Sequence, residues 1–341
     1  MNRRLAKILP WVGYPLFYLF ALGLFAYWSF PYERLKDRII DEFNATQASS
    51  GLRIKIEELD SYWFSGVEAE GVQFISTPAA GAEGKSAKAK VVNLDSVHAR
   101  VSLLRLLFGT LHISFGVEAS GGEISGFTSD ADNGRTLEAE FDSVKVADMP
   151  MLAEVVPLPI DGALNGDVEL RLPEGKLAKA EGKLALKINE LTIGDGKSKI
   201  MNTIALPTLN AGELVLEGEA LDGKLNISKF TATGKDLELV ADGGIRLRDP
   251  FAASLAELNL RFKFSPAYRN KNDTTRALLG APGSNVPAVF DLDPRVRSAK
   301  RPDDFYAWRL NGPLGHLNPE PAAMAGGASA PRAPSGFPEE P

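Results

Sequence analysis

Hydrophobic residues follow three rhythms along the chain. From Trp11 to Phe30 the run WVGYPLFYLFALGLFAYWSF carries no charge, and nine of its twenty residues are aromatic. As a helix it would rise about 30 Å, the hydrocarbon thickness of a bilayer. Residues 11–30 are therefore predicted as a transmembrane helix behind a leader of residues 1–10. A cleaved signal peptide would instead end in small residues, and Tyr27, Trp28, Phe30 and Pro31 stand at that end. Next, Leu35, Ile39, Ile40 and Phe43 recur with helical spacing, which predicts one apolar face on a short amphipathic helix.

From Leu52 the period drops to two. Leu52, Ile54 and Ile56 alternate with Arg53, Lys55 and Glu57, and the same holds for Val97–Val101, Leu111–Val117, Leu137–Phe141, Val168–Leu172 and Leu184–Ile188. The longest alternations come late, where Leu237, Leu239, Ile245 and Leu247 share one parity and Leu258, Leu260, Phe262 and Phe264 share another. Such segments predict antiparallel strands with one apolar face. Asn133-Gly134, Asp161-Gly162, Asp195-Gly196 and Asp222-Gly223 read as tight hairpin turns. Two further interruptions are expected: the apolar SLLRLLFG of Ser102–Gly109, either a helical plug or a buried strand, and a short helix around Thr274–Leu279. From Leu317 to Pro341 prolines, alanines and glycines dominate, so residues 316–341 are expected to be a disordered tail.

The expected fold class is therefore mainly β. A single N-terminal transmembrane helix is followed by a long antiparallel β-sheet domain over residues 31–315, with a few short helices. The eight residues Leu237, Leu239, Ile245, Leu247, Leu258, Leu260, Phe262 and Phe264 form either a core face, as in a sandwich or barrel, or the lining of an apolar groove. The pattern fits both.

Charge sharpens the division. The chain has 38 basic and 44 acidic residues, a net charge of -6; without Arg3, Arg4 and Lys7 the remainder stands at -9. That disfavours nucleic acid as a partner, since phosphate binding needs a basic face. Arg3, Arg4 and Lys7 before the apolar run are matched by Arg34, Lys36 and Arg38 after it, so counting basic residues ties. Because the leader has no acids, the expected orientation keeps the N-terminus inside and the bulk outside.

Candidate chemistry is sparse. The chain has no cysteine and three histidines, which excludes disulfides, thiolate metal sites and a cysteine nucleophile. Gly196-Lys197-Ser198 resembles the end of a phosphate-binding loop, but Leu191 stands where that motif needs glycine. Glu57-Glu58 and Asp303-Asp304 are adjacent, so in a strand their side chains point to opposite faces instead of converging. His98 and His112 fall on polar parities, and His316 lies at the edge of the tail. Asn44, Asn226 and Asn272 open glycosylation sequons that matter only in a eukaryotic secreted protein. No catalytic residue, cofactor site or metal site is assigned, and a non-enzymatic role is expected.

Three segments carry a resemblance to a known family. They are the apolar run leading into FPYERLKDRI, then GLRIKIEELDSYWFSGVEAEGVQF, and VNLDSVHARVSLLRLLFGTLHISFGVEASGGEISG, with a closing FYAWRLNGPLGHLNPEP. In layout the chain resembles the longer form of the N component (GspN) of the bacterial type II secretion machinery. Its N-terminal part also resembles AsmA-type envelope proteins, which are inner-membrane-anchored β proteins associated with lipid transport. The first resemblance implies an accessory component anchored in the bacterial inner membrane, with its bulk in the periplasm. Its partners would be the inner-membrane platform or the outer-membrane channel of the machine. The second implies an AsmA-like meander that binds or transfers lipid in a β groove. Neither implies an oligomeric state.

Overall fold

Proline 31 divides the N-terminal region into two helices. The computed structural model describes residues 5–47, 52–76, 90–131, 134–149, 159–196, 199–200, 204–205, 207–281, 283 and 288–322. Helix α1 spans Leu5–Trp28 and α2 spans Tyr32–Thr46. The first starts before the apolar run and stops two residues short of its end, because a residue preceding proline is held out of the helical region. Large apolar side chains of α1, including Phe17, Phe20, Phe25 and Trp28, face outward. Among the described residues no helix is long and apolar enough to cross a membrane.

The rest is mainly β. Fifteen antiparallel strands belong to one sheet in nearly sequential order, and a separate two-stranded ladder joins β10 (Lys199–Ile200) to β11 (Ile204–Ala205). Contacts divide the chain into two compact units, Met1–Asp132 with Glu138–Val144, and Asn133–Leu137 with Lys145–Pro341.

In the first unit, β3 (Gly66–Ser76) pairs along one edge with two short strands, β1 (Leu52–Lys55) and β2 (Glu58–Tyr62). These are halves of one line broken opposite Gly71, whose positive φ of 62° accommodates the bulge. On the other edge β4 (Lys90–Val101), β5 (Leu111–Ala119) and β6 (Gly122–Ala131) follow in turn, and β7 (Gly134–Lys145) has residues in both units. The face predicted on α2 is realised: Leu35, Ile39, Ile40 and Phe43 pack against buried Ile54, Leu59, Ala69 and Val72. Phe43 lies 5.7 Å from Phe74 between ring centroids, and the Asn44 side chain accepts a 2.9 Å hydrogen bond from Ile54 N–H just beyond the helix.

In the second unit the hydrogen-bonded order is β8 (Ile160–Leu172), β9 (Glu181–Ile193), β12 (Leu209–Leu221), β13 (Lys224–Thr233), β14 (Leu237–Arg246), β15 (Leu255–Phe264), β16 (Tyr306–Pro313) and β17 (Asn318–Pro321). Leu221 pairs with Lys224, so Asp222-Gly223 is the predicted two-residue hairpin, with φ values of 48° and 71°. Asp161-Gly162 turns out differently. It lies inside β8 as a register shift between Asp161 and Ala163, because a positive-φ glycine serves a bulge as well as a turn. The tail also begins later than expected: Asn318–Pro321 is an edge strand on β16, where Pro319 and Pro321 are tolerated because an edge strand needs ladder donors on one side only. The rest of the predicted tail, from residue 323, lies outside the described residues, as does Asn133.

Short helices close one end of this unit. Helix α4 (Pro266–Arg269) starts at Ser265, whose hydroxyl accepts from Tyr268 N–H, and α5 (Asp273–Leu279) covers the helix expected near Thr274. Asn272 and Thr275 form a capping box at the start of α5. Tyr268 is fully buried, and its hydroxyl donates a 2.6 Å hydrogen bond to the Pro207 carbonyl. Burial, helped by the Asp236 carboxylate, pushes its phenol far above the usual range.

Tyr268 therefore separates two contributions. Tyr268→Phe is expected to lose about 1–2 kcal/mol by leaving a carbonyl unpaired, and Tyr268→Ala about 3–5 kcal/mol by opening a cavity as well. Urea denaturation of the full chain in detergent, followed by circular dichroism, measures both.

Candidate functional site

The register of the second unit lines apolar residues up across neighbouring strands. One row runs Leu164, Ile188, Leu214, Ala232, Leu239, Phe262 and Tyr306 from β8 to β16. The next along the strands includes Leu186, Leu216, Ala241, Leu260 and Trp308. The third includes Val168, Leu184, Gly243, Leu258 and Leu310. The eight residues singled out from the sequence all lie on this face.

Six of the eight are roofed over. Leu237, Leu239, Phe262 and Phe264 belong to the cluster closed by Tyr268 of α4 and by Leu278 and Leu279 of α5. Phe262 stacks on Tyr306 at 5.6 Å and Phe264 on Tyr268 at 5.9 Å, while Phe290 stands edge-on to Phe264 and Tyr306 at 6.5 and 5.3 Å. Tyr306 donates a 2.8 Å hydrogen bond to Asp291, and burial followed by that bond raises its phenol pKa. At the other end Ile245 and Leu247 pack with Leu225, Ala220, Leu177 and Ala180. The preceding turn holds exposed Glu174, whose carboxyl is lowered to about 2 by hydrogen bonds from Lys179 and Lys176. Leu258 is buried outside both clusters, and Leu260 is half-buried beside half-buried Trp308, as are Leu186 and Leu216 farther along the same row. The face is thus core under two caps, with a less covered band between them.

The opposite, polar face carries the large concavity. A space of about 870 Å³ is lined by Lys224, Asn226, Arg246, Glu257, Asn259, Arg309 and Asn311, together with Gly243, Gly244 and Leu255. Three cations there face one carboxylate. Elsewhere on this face cations sit beside carboxylates of the adjacent strand: Lys187 with Glu213 at 2.7 Å, Lys263 with Glu238 at 2.7 Å, and Lys229 with Glu217 at 3.7 Å. Lys224, by contrast, is placed directly opposite Arg246 in the β13–β14 register. Like charges at such a position repel. Sequence reading missed this patch, because Lys224, Arg246 and Arg309 come from three separate strands; the parity of each residue was legible, its neighbours were not.

The remaining candidates do not converge on chemistry. Glu57 and Glu58 are exposed, Asp304 lies 3.8 Å from Arg269, and the Asp303 side chain accepts from Phe305 N–H. His98 differs from expectation: it is half-buried, stacked 4.5 Å from Tyr62 and lying over Gly116, where any β-carbon would collide with the imidazole. His112 accepts from Arg105 at 2.5 Å, and burial followed by that cation lowers its pKa. His316 is exposed. Lys197 and Ser198 of the loop-like tripeptide lie outside the described residues. Among the described residues no group of three or more His, Asp or Glu side chains could hold a metal ion. Asn272 serves as a helix cap and Asn226 lines the concavity.

Comparison with known proteins finds no matching family model, no matching curated protein and no matching solved structure.

The like-charge pair gives a direct test of the concavity's electrostatics. Lys224→Gln is expected to stabilise the full chain by about 0.2–1 kcal/mol at low salt, with the gain shrinking as salt screens the repulsion. Denaturation series at two ionic strengths would measure it, and a loss of stability at low salt would contradict the pairing.

Proposed function

We propose that the chain is a non-enzymatic accessory component of a bacterial type II secretion machine, anchored in the inner membrane by α1 with its β units in the periplasm. Support for the layout comes from the order of elements, an outward-facing apolar helix, an amphipathic helix packed on the first strands, and a sequential meander. The anchor rests on the twenty uncharged residues of the apolar run, in which Trp11 and Tyr14 near one end and Tyr27 and Trp28 near the other lower the mean hydropathy while suiting the two headgroup regions.

The observation that carries a contact role is the polar concavity of β13–β16. Its three cations, Lys224, Arg246 and Arg309, outnumber the one carboxylate that lines it, Glu257, with Glu320 opposite Arg309 in the β16–β17 register, on a chain whose net charge is -6. A protein partner presenting carboxylates would relieve the Lys224–Arg246 repulsion on docking. Strand addition is the weaker route at the β17 edge, which is four residues long and holds two prolines.

A second reading, an AsmA-like lipid carrier, is favoured by one observation: the band of Leu186, Leu216, Leu260 and Trp308 between the two caps is only half-buried. An acyl chain lying there would predict phospholipid on the purified chain.

Affinity purification of the full chain from its own membranes distinguishes the two. Recovery of the inner-membrane platform or the outer-membrane channel, lost in the Arg246→Glu/Arg309→Glu double variant, supports the secretion role. Normal secretion in a deletion strain, with no component recovered, sinks it. Stoichiometric phospholipid by mass spectrometry, abolished by Leu260→Asp in a chain that keeps its circular dichroism, would establish the carrier instead.

A further inference from the structure

Apolar side chains that a soluble surface would hide are gathered at one end of the first unit. The turn between β2 and β3 leaves Trp63 and Phe64 63% and 81% exposed. The segment Ser102–Gly109, expected as a helical plug or a buried strand, is helical but plugs nothing: the five-residue helix α3 (Leu103–Leu107) leaves Leu103, Leu104, Leu107 and Phe108 exposed.

Backbone and side-chain bonds hold the two segments together. Val101 N–H donates to the Ser65 carbonyl at 3.1 Å, the Ser65 hydroxyl donates to the Val101 carbonyl at 2.7 Å, and the Arg100 guanidinium lies 5.5 Å over the Trp63 ring. The strand end that carries Trp63 and Phe64 is therefore the one that leads into α3. The C-terminal turn of α1 reaches the same place. Tyr27 hydrogen-bonds Ser61 at 2.9 Å, and its ring lies 6.0 Å from that of Phe64.

We propose that the Trp63–Phe64 turn and α3 with Phe108 are seated in the headgroup and upper acyl region of a lipid bilayer. The surface is continuous with the outward-facing side chains of α1 through Tyr27, and this rests on the reading of α1 as a membrane anchor. Its composition suits lipid: Trp, Phe and Leu bury well at a bilayer interface, and the charges within it are Arg100 and Arg105. No acidic residue occurs in 61–67 or 99–117, although the chain as a whole is acidic, and the ladder brings one acid to this end, Asp130 opposite Leu111. An exposed apolar patch of this kind marks an interaction surface. Seating it would hold the strands of the first unit end-on to the membrane.

The absence of cysteine makes a clean test available. Single cysteines for nitroxide labelling are placed at Phe64, at Leu104, at Phe20 in α1 and at Glu118, which lies roughly 25 Å along β5 from the α3 end. The full-length chain is reconstituted into vesicles of phosphatidylethanolamine and phosphatidylglycerol. Collision with oxygen, enriched in lipid, is compared with collision with a water-confined nickel chelate. Labels at Phe64 and Leu104 are expected to favour oxygen, as at Phe20, while Glu118 favours nickel. Phe64 and Leu104 favouring nickel while Phe20 favours oxygen would overturn the seat and leave the anchor standing. Oxygen preference at Phe64 and Leu104 without it at Phe20 would uphold a surface seat and overturn the anchor. Shielding of Phe64 and Leu104 from both reagents would mean that protein covers the patch, which also overturns the proposal.

Discussion

Everything in this chain follows from an antiparallel ladder with one apolar face. Hydrogen bonds within the ladder are satisfied strand by strand, but they leave a row-by-row apolar surface that water opposes. Each unit answers locally. In the first, α2 lays Leu35, Ile39, Ile40 and Phe43 over Ile54 and Val72; in the second, α4 and α5 close one end of the face and the turn around Leu177 and Ala180 closes the other. The helices α4 and α5 are short and are pinned by polar bonds, Tyr268 to Pro207 and Asn272 to Thr275, while the longer α2 is tied to the sheet by Asn44 to Ile54. Without such pins a helix of four to seven residues has too few internal bonds to persist.

This economy explains which parts of the fold were legible. Parity is a local property, so the strands at Leu111–Val117, Leu237–Leu247 and Leu258–Phe264, and the apolar face of α2, could be read directly from spacing. The Asp222-Gly223 hairpin was legible for the same reason. Asp161-Gly162 carried the same signal inside a strand, since both a turn and a bulge need positive φ at glycine. The strand at Asn318–Pro321 was hidden by its composition, because proline disqualifies a central strand and not an edge. Of the candidate site, the eight apolar residues and their shared face were legible. Which of them lie under a cap was not, because Tyr268 and Phe290 approach through tertiary packing that no periodicity records.

The polar face shows the limit more sharply. Lys224, Arg246 and Arg309 each look like an ordinary solvated residue, and three other lysines on that face do have carboxylates across the strand. Only the register reveals that Lys224 meets Arg246. A ladder that pairs opposite charges at three places and like charges beside its concavity has an unbalanced potential there, and the imbalance favours an anionic counterpart. Exposed ion pairs are individually weak, so the distinction concerns recognition more than stability.

The same logic applies to the apolar surplus. A ladder needs its leucines on the covered face, yet Leu103, Leu104 and Leu107 sit in a helix too short to cover anything and point away from it. Burial inside the unit cannot account for them, and solubility argues against them. Tyr27 supplies the missing term, because its contacts with Ser61 and Phe64 make the end of α1 and the hairpin turn one surface. An aromatic-rich helix end and an aromatic-rich turn that share an environment need the same solvent. For rings with a polar rim and an apolar body, the solvent we propose is the bilayer interface.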